Sequence, residues 1–197
     1  MASARDEWVA ASSRFAAIWQ VGKVPAHLLE GPPAHLDVEA SDSVSLDVQA
    51  IVRCAQRVSG GRTALILCGS RLRTRECPDL LGYADRRARV VVLSTSAMQS
   101  DQDPELLLAR LRNVLAHEQG HLDGRSHCRT AGCVMRPVSE AAYLDARPLV
   151  PCERCRRPRF RRAVALAAAA AALALAVLLF DGVASRLVGP AFEMPFT

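Results

Sequence analysis

The chain has 197 residues, of which 50% are hydrophobic and 23% are charged. This composition excludes an intrinsically disordered or collagen-like protein, and it predicts one compact domain of roughly 150 residues with an appended segment. The net charge of +5 is typical of a nucleic-acid-binding protein, but its distribution argues against that class. Residues 1–153 carry 18 basic and 18 acidic side chains, and the excess positive charge comes from six arginines within nine residues. These are Arg154, Arg156, Arg157, Arg159, Arg161 and Arg162.

The chain has seven cysteines, an odd number that fits poorly with a disulfide framework. Four of them come late in the chain, in two pairs whose spacing suits metal ligands. Free thiols beside a metal cluster are typical of a reducing compartment. Charged residues interrupt the apolar stretch near the start of the chain, so no secretory signal is predicted there.

Local patterns predict alternating helices and strands, and therefore an α/β fold. In chain order, the predictions are a helix over 4–20, a loop with one short strand over 22–43, a helix over 44–58, and strands over 63–68 and 89–94. A polar loop is predicted between the two strands.

A long helix is predicted from Pro104 to about His121. Asp103 is a good N-cap residue, and proline suits the first turn of a helix. Gly124 lies just beyond the predicted end. The side expected to face the core is defined by apolar residues at helical spacing, which are Leu107, Leu108, Leu111, Val114 and Leu115.

The end of this helix carries the first candidate metal site. His117 and His121 are four residues apart, so they project from one face of the helix and can both reach one ion. Glu118 lies between them and can act as the general base of a metal-assisted peptide hydrolysis. Gly124 permits a bend that returns His127 to the ion as a third ligand. Three imidazoles leave one position of a tetrahedral zinc open, as in catalytic sites; the alternative is a helix with exposed histidines and a coincidental glycine.

Two cysteine pairs predict a second zinc site. Cys128 and Cys133, then Cys152 and Cys155, have the spacing of thiolate pairs in a closed tetrahedral site, which is structural because it leaves no position for substrate. One alternative is four reduced surface thiols. Another is a redox-active Cys152–Cys155 pair, although the βαβ pattern of thioredoxin-like proteins does not surround it.

Met135 follows two residues after Cys133. A methionine beyond the third histidine is similar to the Met-turn of metzincins, which forms a hydrophobic base beneath the zinc. An ordinary core methionine is the alternative.

Residues 163–180 are 18 consecutive apolar residues. A helix of this length spans about 27 Å, which is enough for the hydrocarbon core of a bilayer. The six arginines directly precede it, and basic flanks favour the cytoplasmic side. The sequence therefore predicts a single-pass membrane protein with a cytoplasmic zinc domain and anionic lipid near 154–162. A buried, alanine-rich helix of a soluble protein is the alternative.

The sequence from 117 to 155 resembles the archaemetzincins. The pattern of that family is HExxHxxGxxHC, then x4-C-x-M, then a CxxC some sixteen or seventeen residues later; here sixteen residues separate Met135 from Cys152. The resemblance covers about residues 60–157. It implies a compact metzincin-like zincin domain with a mixed sheet, an active-site helix and a Met-turn. It also implies a catalytic zinc on three histidines and a second zinc on four cysteines. The matched positions are His117, Glu118, His121, Gly124, His127, Cys128, Cys133, Met135, Cys152 and Cys155.

These observations predict a membrane-tethered, zinc-dependent metallopeptidase that binds two Zn²⁺ per chain and acts on peptides or proteins. The alternative is a non-catalytic zinc-binding interaction module at the membrane, for which Glu118 would not be needed. The predicted organisation is an N-terminal helical and loop region over 1–60, a zinc peptidase core over 61–157, a transmembrane helix over 163–180 and a short tail over 181–197.

Overall fold

The computed structural model describes residues 3–29, 34–38, 45–99, 103–138, 140–145 and 150–156, together with residue 172. The chain up to Cys155 forms one compact unit. The predicted membrane helix over 163–180 lies outside the described residues, apart from residue 172, and so do the arginines beyond Arg156. Across the residues that are described, no helix is both long enough and apolar enough to cross a membrane.

The described part of the chain contains four α-helices and seven strands. In chain order they are α1 (Ala4–Ser12), β1 (Ala17–Val21), β2 (Ala34–His35), β3 (Ser45–Asp47), α2 (Val48–Ser59), β4 (Ala64–Cys68), β5 (Arg71–Arg73), β6 (Gly82–Asp85), β7 (Val90–Ser94), α3 (Pro104–Leu122) and α4 (Glu153–Arg156). Short 3₁₀ turns occur at Ala26–Leu28, Ser96–Met98 and Ala141–Leu144.

Five of the strands form a mixed sheet in the order β2-β1-β4-β7-β6. β1, β2, β4 and β7 run parallel, and β6 pairs antiparallel with β7 at the edge. In the centre of the sheet, Ile66 of β4 is in register with Val92 of β7. Val92 is in turn in register with Tyr83 of β6. A separate pair of parallel strands is formed by β3 and β5. The predicted α/β fold with a mixed sheet is confirmed.

Helices cover both faces of this sheet. Successive side chains of a strand point to opposite sides, so neighbouring residues of one strand pack against different helices. Leu65 and Leu67 of β4 pack with α1 and α3 on one face, whereas Ile66 packs with α2 on the other. Every residue of β4 and β7 is buried. Such continuous apolar strands are typical of a parallel sheet that is covered on both sides.

Two predicted helices are confirmed, with small shifts at their ends. α2 has Asp47 as its N-cap and Gly60 as its C-cap, where the φ of 59° is left-handed. In α3 the side chain of Asp103 accepts hydrogen bonds from the amides of Glu105 and Leu106. The five leucine and valine residues predicted to face the core from α3 are all buried.

The predicted helix over 4–20 is wrong beyond Ser12. The chain turns there, and Ala17–Val21 forms β1, which pairs with β4 along its whole length. Its Ile18 and Trp19 fit a helical pattern and a strand pattern equally well, and the parallel pairing with β4 decides between them. The loop predicted between β4 and β7 also contains two strands, β5 and β6, that were not predicted.

Candidate metal centres

α3 places two of the candidate histidine ligands one above the other. His117 and His121 lie in its last two turns, and their Nε2 atoms are 3.1 Å apart. Their ring centroids are 4.7 Å apart, with the rings nearly perpendicular. This is the geometry expected from residues at i and i+4 on one helix face.

The turn after α3 brings the third histidine back to the first two. Gly124 has a φ of 80°, a conformation that side chains disfavour. A Cβ at this position would also lie 3.1 Å from Nη1 of Arg86. After this bend, the ring of His127 lies 5.3 Å from that of His117 and 4.8 Å from that of His121. One nitrogen of each histidine lies within 4.8 Å of the others.

The hydrogen bonds of these rings fix which nitrogen atom of each ring carries the proton and which presents a lone pair. Nδ1 of His117 lies 2.7 Å from the carbonyl oxygen of Val134, and Nδ1 of His121 lies 2.8 Å from that of Arg125. A carbonyl oxygen only accepts hydrogen bonds, so each Nδ1 carries the proton and each Nε2 presents a lone pair. Two lone pairs 3.1 Å apart repel each other unless a cation lies between them. This donor set fits a zinc ion, whose histidine ligands usually donate the other ring N–H to a carbonyl or carboxylate.

The surroundings of the third imidazole, His127, favour its neutral, ligating form. Desolvation lowers the pKa of His127, and the neighbouring His121 lowers it further. A neutral imidazole is the form that coordinates a metal. The three histidines therefore meet the requirements of one ion.

Glu118 is a buried carboxyl group on the same turn of α3. Its side chain is 6% exposed, and burial raises its pKa to about 8. Among the described residues, none donates a hydrogen bond to its carboxylate. The side chain lies against β6, where a Cβ on Gly82 would come within 3.1 Å of Oε1. A dication among the neighbouring imidazoles would favour the ionised form, which is the form a general base needs.

Met135 lies directly beneath α3. Its side chain is fully buried and contacts Gly120, and its carbonyl oxygen accepts a hydrogen bond of 2.9 Å from the amide of Cys128. It belongs to a small apolar cluster with Val134 and two cysteines. This cluster forms an apolar support for the turn of α3 that carries the histidines.

The four late cysteines form a second group. Sγ atoms of Cys128, Cys133, Cys152 and Cys155 all lie within 4.8 Å of one another. The amide of Cys152 donates to Sγ of Cys133 at 3.3 Å, and the amide of Thr130 donates to Sγ of Cys128 at 3.5 Å. Amide donors aimed at sulfur are expected around thiolates, and four thiolates in a compact set fit a closed tetrahedral zinc.

The ionisation of this group depends on those donors and on burial. Hydrogen bonds from Thr130 lower the pKa of Cys128 to about 6. Desolvation, together with the neighbouring sulfur atoms, raises the pKa of Cys155 to about 12. Negative charges this close repel each other, so full ionisation of all four thiols needs a bound cation.

The structure brings together all seven candidate ligands that the sequence names, as one histidine group and one cysteine group. Sequence reasoning missed three supporting residues: Val134 and Arg125, whose carbonyl oxygens orient the histidines, and Gly82, which lies against Glu118. A backbone carbonyl leaves no trace in residue type. For Gly82, the only sequence signal is a glycine in a polar loop.

Residues 60–160 match the family model described as Peptidase family M54. The chain belongs to this family. The resemblance to archaemetzincins inferred from the sequence is thereby confirmed. The M54 match covers α3 and both candidate metal groups.

Curated relatives and solved structures agree with this assignment. The archaemetzincin of Methanopyrus kandleri is 37% identical over 76 residues, which are 39% of this chain and 43% of that protein. The chain thus matches less than half the length of this curated relative. The crystal structure of the same archaemetzincin superposes with a TM-score of 0.59 at 24% identity, covering 71% of this chain and 89% of that one.

Two further solved structures share the fold of this M54 protein. An archaemetzincin from Archaeoglobus fulgidus, solved with malonate, has a TM-score of 0.59 at 21% identity and covers 71% of this chain and 96% of its own. A zinc-dependent peptidase from Methanocorpusculum labreanum has a TM-score of 0.55 at 18% identity and covers 78% and 89%. At these identities the likeness establishes the fold, and the activity of this chain has to be argued from its own residues.

Proposed function

We propose that this M54 protein is a zinc metallopeptidase that hydrolyses peptide bonds at its three-histidine group. One observation carries the proposal: a buried carboxyl group, Glu118, stands on the helix turn between two imidazoles whose unprotonated Nε2 atoms converge at 3.1 Å. A site that only held a structural metal would have no use for a desolvated carboxyl group at this position.

The residues of the site have separate roles in the proposed hydrolysis. A zinc ion held by His117, His121 and His127 would supply Lewis-acid polarisation of the scissile carbonyl and would lower the pKa of the attacking water. Glu118 takes a proton from that water and passes it to the leaving amine. The carbonyl oxygens of Val134 and Arg125 hold two of the rings in the tautomer that carries its proton on Nδ1 and its lone pair on Nε2.

The four-cysteine group serves a structural role in this proposal. Zinc bound by four thiolates has no open position for water or substrate. The group joins the segment after His127 to the chain at 152–155, which are distant in sequence. Bound zinc would therefore contribute to folding, because such a site exists only in the folded chain.

A peptide-library experiment with the full-length protein tests the peptidase activity. The protein, loaded with zinc, should cleave library peptides, lose this activity with a chelator, and regain it when zinc is added back. Absence of cleavage by a preparation that contains two zinc ions per chain would instead favour a non-catalytic zinc-binding module.

We further propose that residues 163–180 tether the zinc domain to a membrane, with the domain on the cytoplasmic side. The support is the sequence alone: 18 apolar residues that follow six arginines. Basic residues flanking a span are retained in the cytoplasm and attract anionic lipid.

Extraction and protease protection test this tether. Full-length protein should stay with membranes after carbonate treatment, and protease added outside intact cells should not reach residues 1–155. Release by carbonate would mean that the segment does not span the bilayer. Cleavage of the zinc domain from outside would reverse the orientation.

A further inference from the structure

Each of the three histidines is joined to the four-cysteine group by a short connection. His127 is bonded directly to Cys128 along the chain. His117 is hydrogen-bonded to Val134, the residue that follows Cys133. His121 is hydrogen-bonded to Arg125, whose side chain reaches Cys155. Each histidine therefore lies one covalent or hydrogen-bonded connection away from a residue of, or next to, the cysteine group.

The connection through Val134 belongs to a firmly held segment. Val134 is buried, and its amide donates a hydrogen bond of 3.2 Å to the carbonyl oxygen of Val150. Cys133 and Met135 on either side of it are fully buried. The carbonyl oxygen that accepts from His117 is therefore fixed from both directions.

The connection through Arg125 depends on one side chain. The carbonyl oxygen of Arg125 lies 2.8 Å from Nδ1 of His121, and its Nε donates to the carbonyl oxygen of Cys155 at 3.0 Å. The backbone amide of Arg125 donates to Gly120 at 2.8 Å, and Nη1 contacts Asp123 at 2.5 Å. The guanidinium group thus ties the turn that orients His121 to the CxxC segment of the cysteine group.

We propose that Arg125 is a positioning residue that couples the two metal groups, so that a filled cysteine group holds His121 in its ligating orientation. The physical reason is that the free energy of binding at a metal site depends on how well its ligands are held beforehand. Arg125 holds the acceptor of His121 more firmly when Cys155 is itself fixed. This inference rests on the zinc occupancy proposed above, and it is independent of peptidase activity.

Chelator titration of the purified, full-length, zinc-loaded protein tests the coupling. The readout is the number of zinc ions retained per chain at increasing chelator concentration. Arg125→Met removes the guanidinium donor, and Arg125→Lys restores a single donor at similar reach. Asp123→Asn removes the ion pair but leaves the bond to Cys155, and Arg75→Met is a control at an exposed arginine.

The proposal predicts that Arg125→Met loses its first zinc at a chelator concentration about 10–100-fold lower than the wild type, the usual size of such effects. Arg125→Lys should fall between the two, and both controls should match the wild type. If Arg125→Met retains both zinc ions up to the same chelator concentration as the wild type, the coupling is wrong. The peptidase proposal is unaffected by that result. If the wild type binds only one zinc, the two-site account itself is wrong.

A second measurement covers the case in which Arg125→Met fails to fold. In the wild type, a mercurial reagent can displace zinc from the thiolates, and the chelator resistance of the remaining zinc is then measured. The coupling predicts that this resistance falls by a similar factor. If the remaining zinc keeps its original resistance, the cysteine group does not support the histidine group.

Discussion

Gly120 and Met135 are in direct contact between α3 and the turn that follows Cys133. A Cβ at position 120 would overlap Sδ of Met135, whose side chain is fully buried. The helix turn between the two histidines can approach its apolar support only because position 120 lacks a side chain.

Gly120→Ala should therefore destabilise the protein although it improves helix propensity. The gain in propensity is at most about 1 kcal/mol, whereas overpacking a buried contact typically costs about 1–3 kcal/mol. Denaturant unfolding measures the difference. In a Met135→Ala background the same substitution should become neutral or stabilising, and an unchanged penalty would show that the contact is not its cause.

Gly82→Ala should lower the catalytic rate more than the stability. A Cβ at position 82 would lie 3.1 Å from Oε1 of Glu118 and 2.6 Å from Cγ1 of Val114, so both side chains have to move. The expected result is a lower kcat with two zinc ions retained. Adding Val114→Ala should recover stability but not kcat; recovery of kcat would mean that the displacement of Glu118 is not responsible.

Cys152→Ser should remove one zinc and destabilise the whole domain. The lost thiolate opens a closed site whose bound zinc contributes to folding. Zinc content and Tm, measured together, should both fall. Cys77→Ser, at a cysteine outside the two metal groups, should change neither by a comparable amount. A variant that keeps its Tm but loses activity would indicate a catalytic or redox role for the cysteines.

The pair formed by Arg110 and Asp145 should make stability depend on pH in the acid range. Arg110 donates two hydrogen bonds to Asp145, of 2.6 and 2.8 Å, and these lower the pKa of that carboxyl group. The stabilisation is therefore present above the unfolded pKa of about 4 and is lost as the pH falls through the lower folded pKa.

Because the Asp145 side chain is 36% exposed, the effect should not exceed about 1 kcal/mol. A double-mutant cycle with Arg110→Met and Asp145→Asn, measured near pH 6 and again below the lowered pKa of folded Asp145, should find coupling only at the higher pH. The pair of Arg71 and Asp79, whose side chains are 55% and 47% exposed, should show less coupling at either pH. Equal coupling at both pH values would contradict the assignment.

The metal groups were predictable because most of their ligands come from two short segments. His117, His121 and His127 lie within eleven residues, and a helix followed by a glycine turn is enough to bring them together. The cysteine pairs have spacings that only a few chemistries require. Local sequence therefore determines the ligand sets.

The supports of those groups were not predictable because they depend on contacts between distant segments. β6 has the sequence Gly-Tyr-Ala-Asp, which carries no strand signal; it is a strand because it pairs with β7. That pairing is what places Gly82 against Glu118. Likewise, the apolar residues of Ala17–Val21 also fit a helical pattern, and the segment is a strand because it pairs with β4. Tertiary pairing outweighs local preference in both cases.

The central claim, that Glu118 is the general base of a zinc peptidase, is tested most directly by comparing Glu118→Gln with the wild type for peptide hydrolysis and zinc content. Glu105→Gln makes the same change at an exposed position of the same helix and serves as the control. The account predicts a loss of about 10²–10⁴-fold in rate for Glu118→Gln, with two zinc ions and an unchanged fold, and full activity for the control. Wild-type activity in Glu118→Gln, from a preparation free of other proteases, would contradict it.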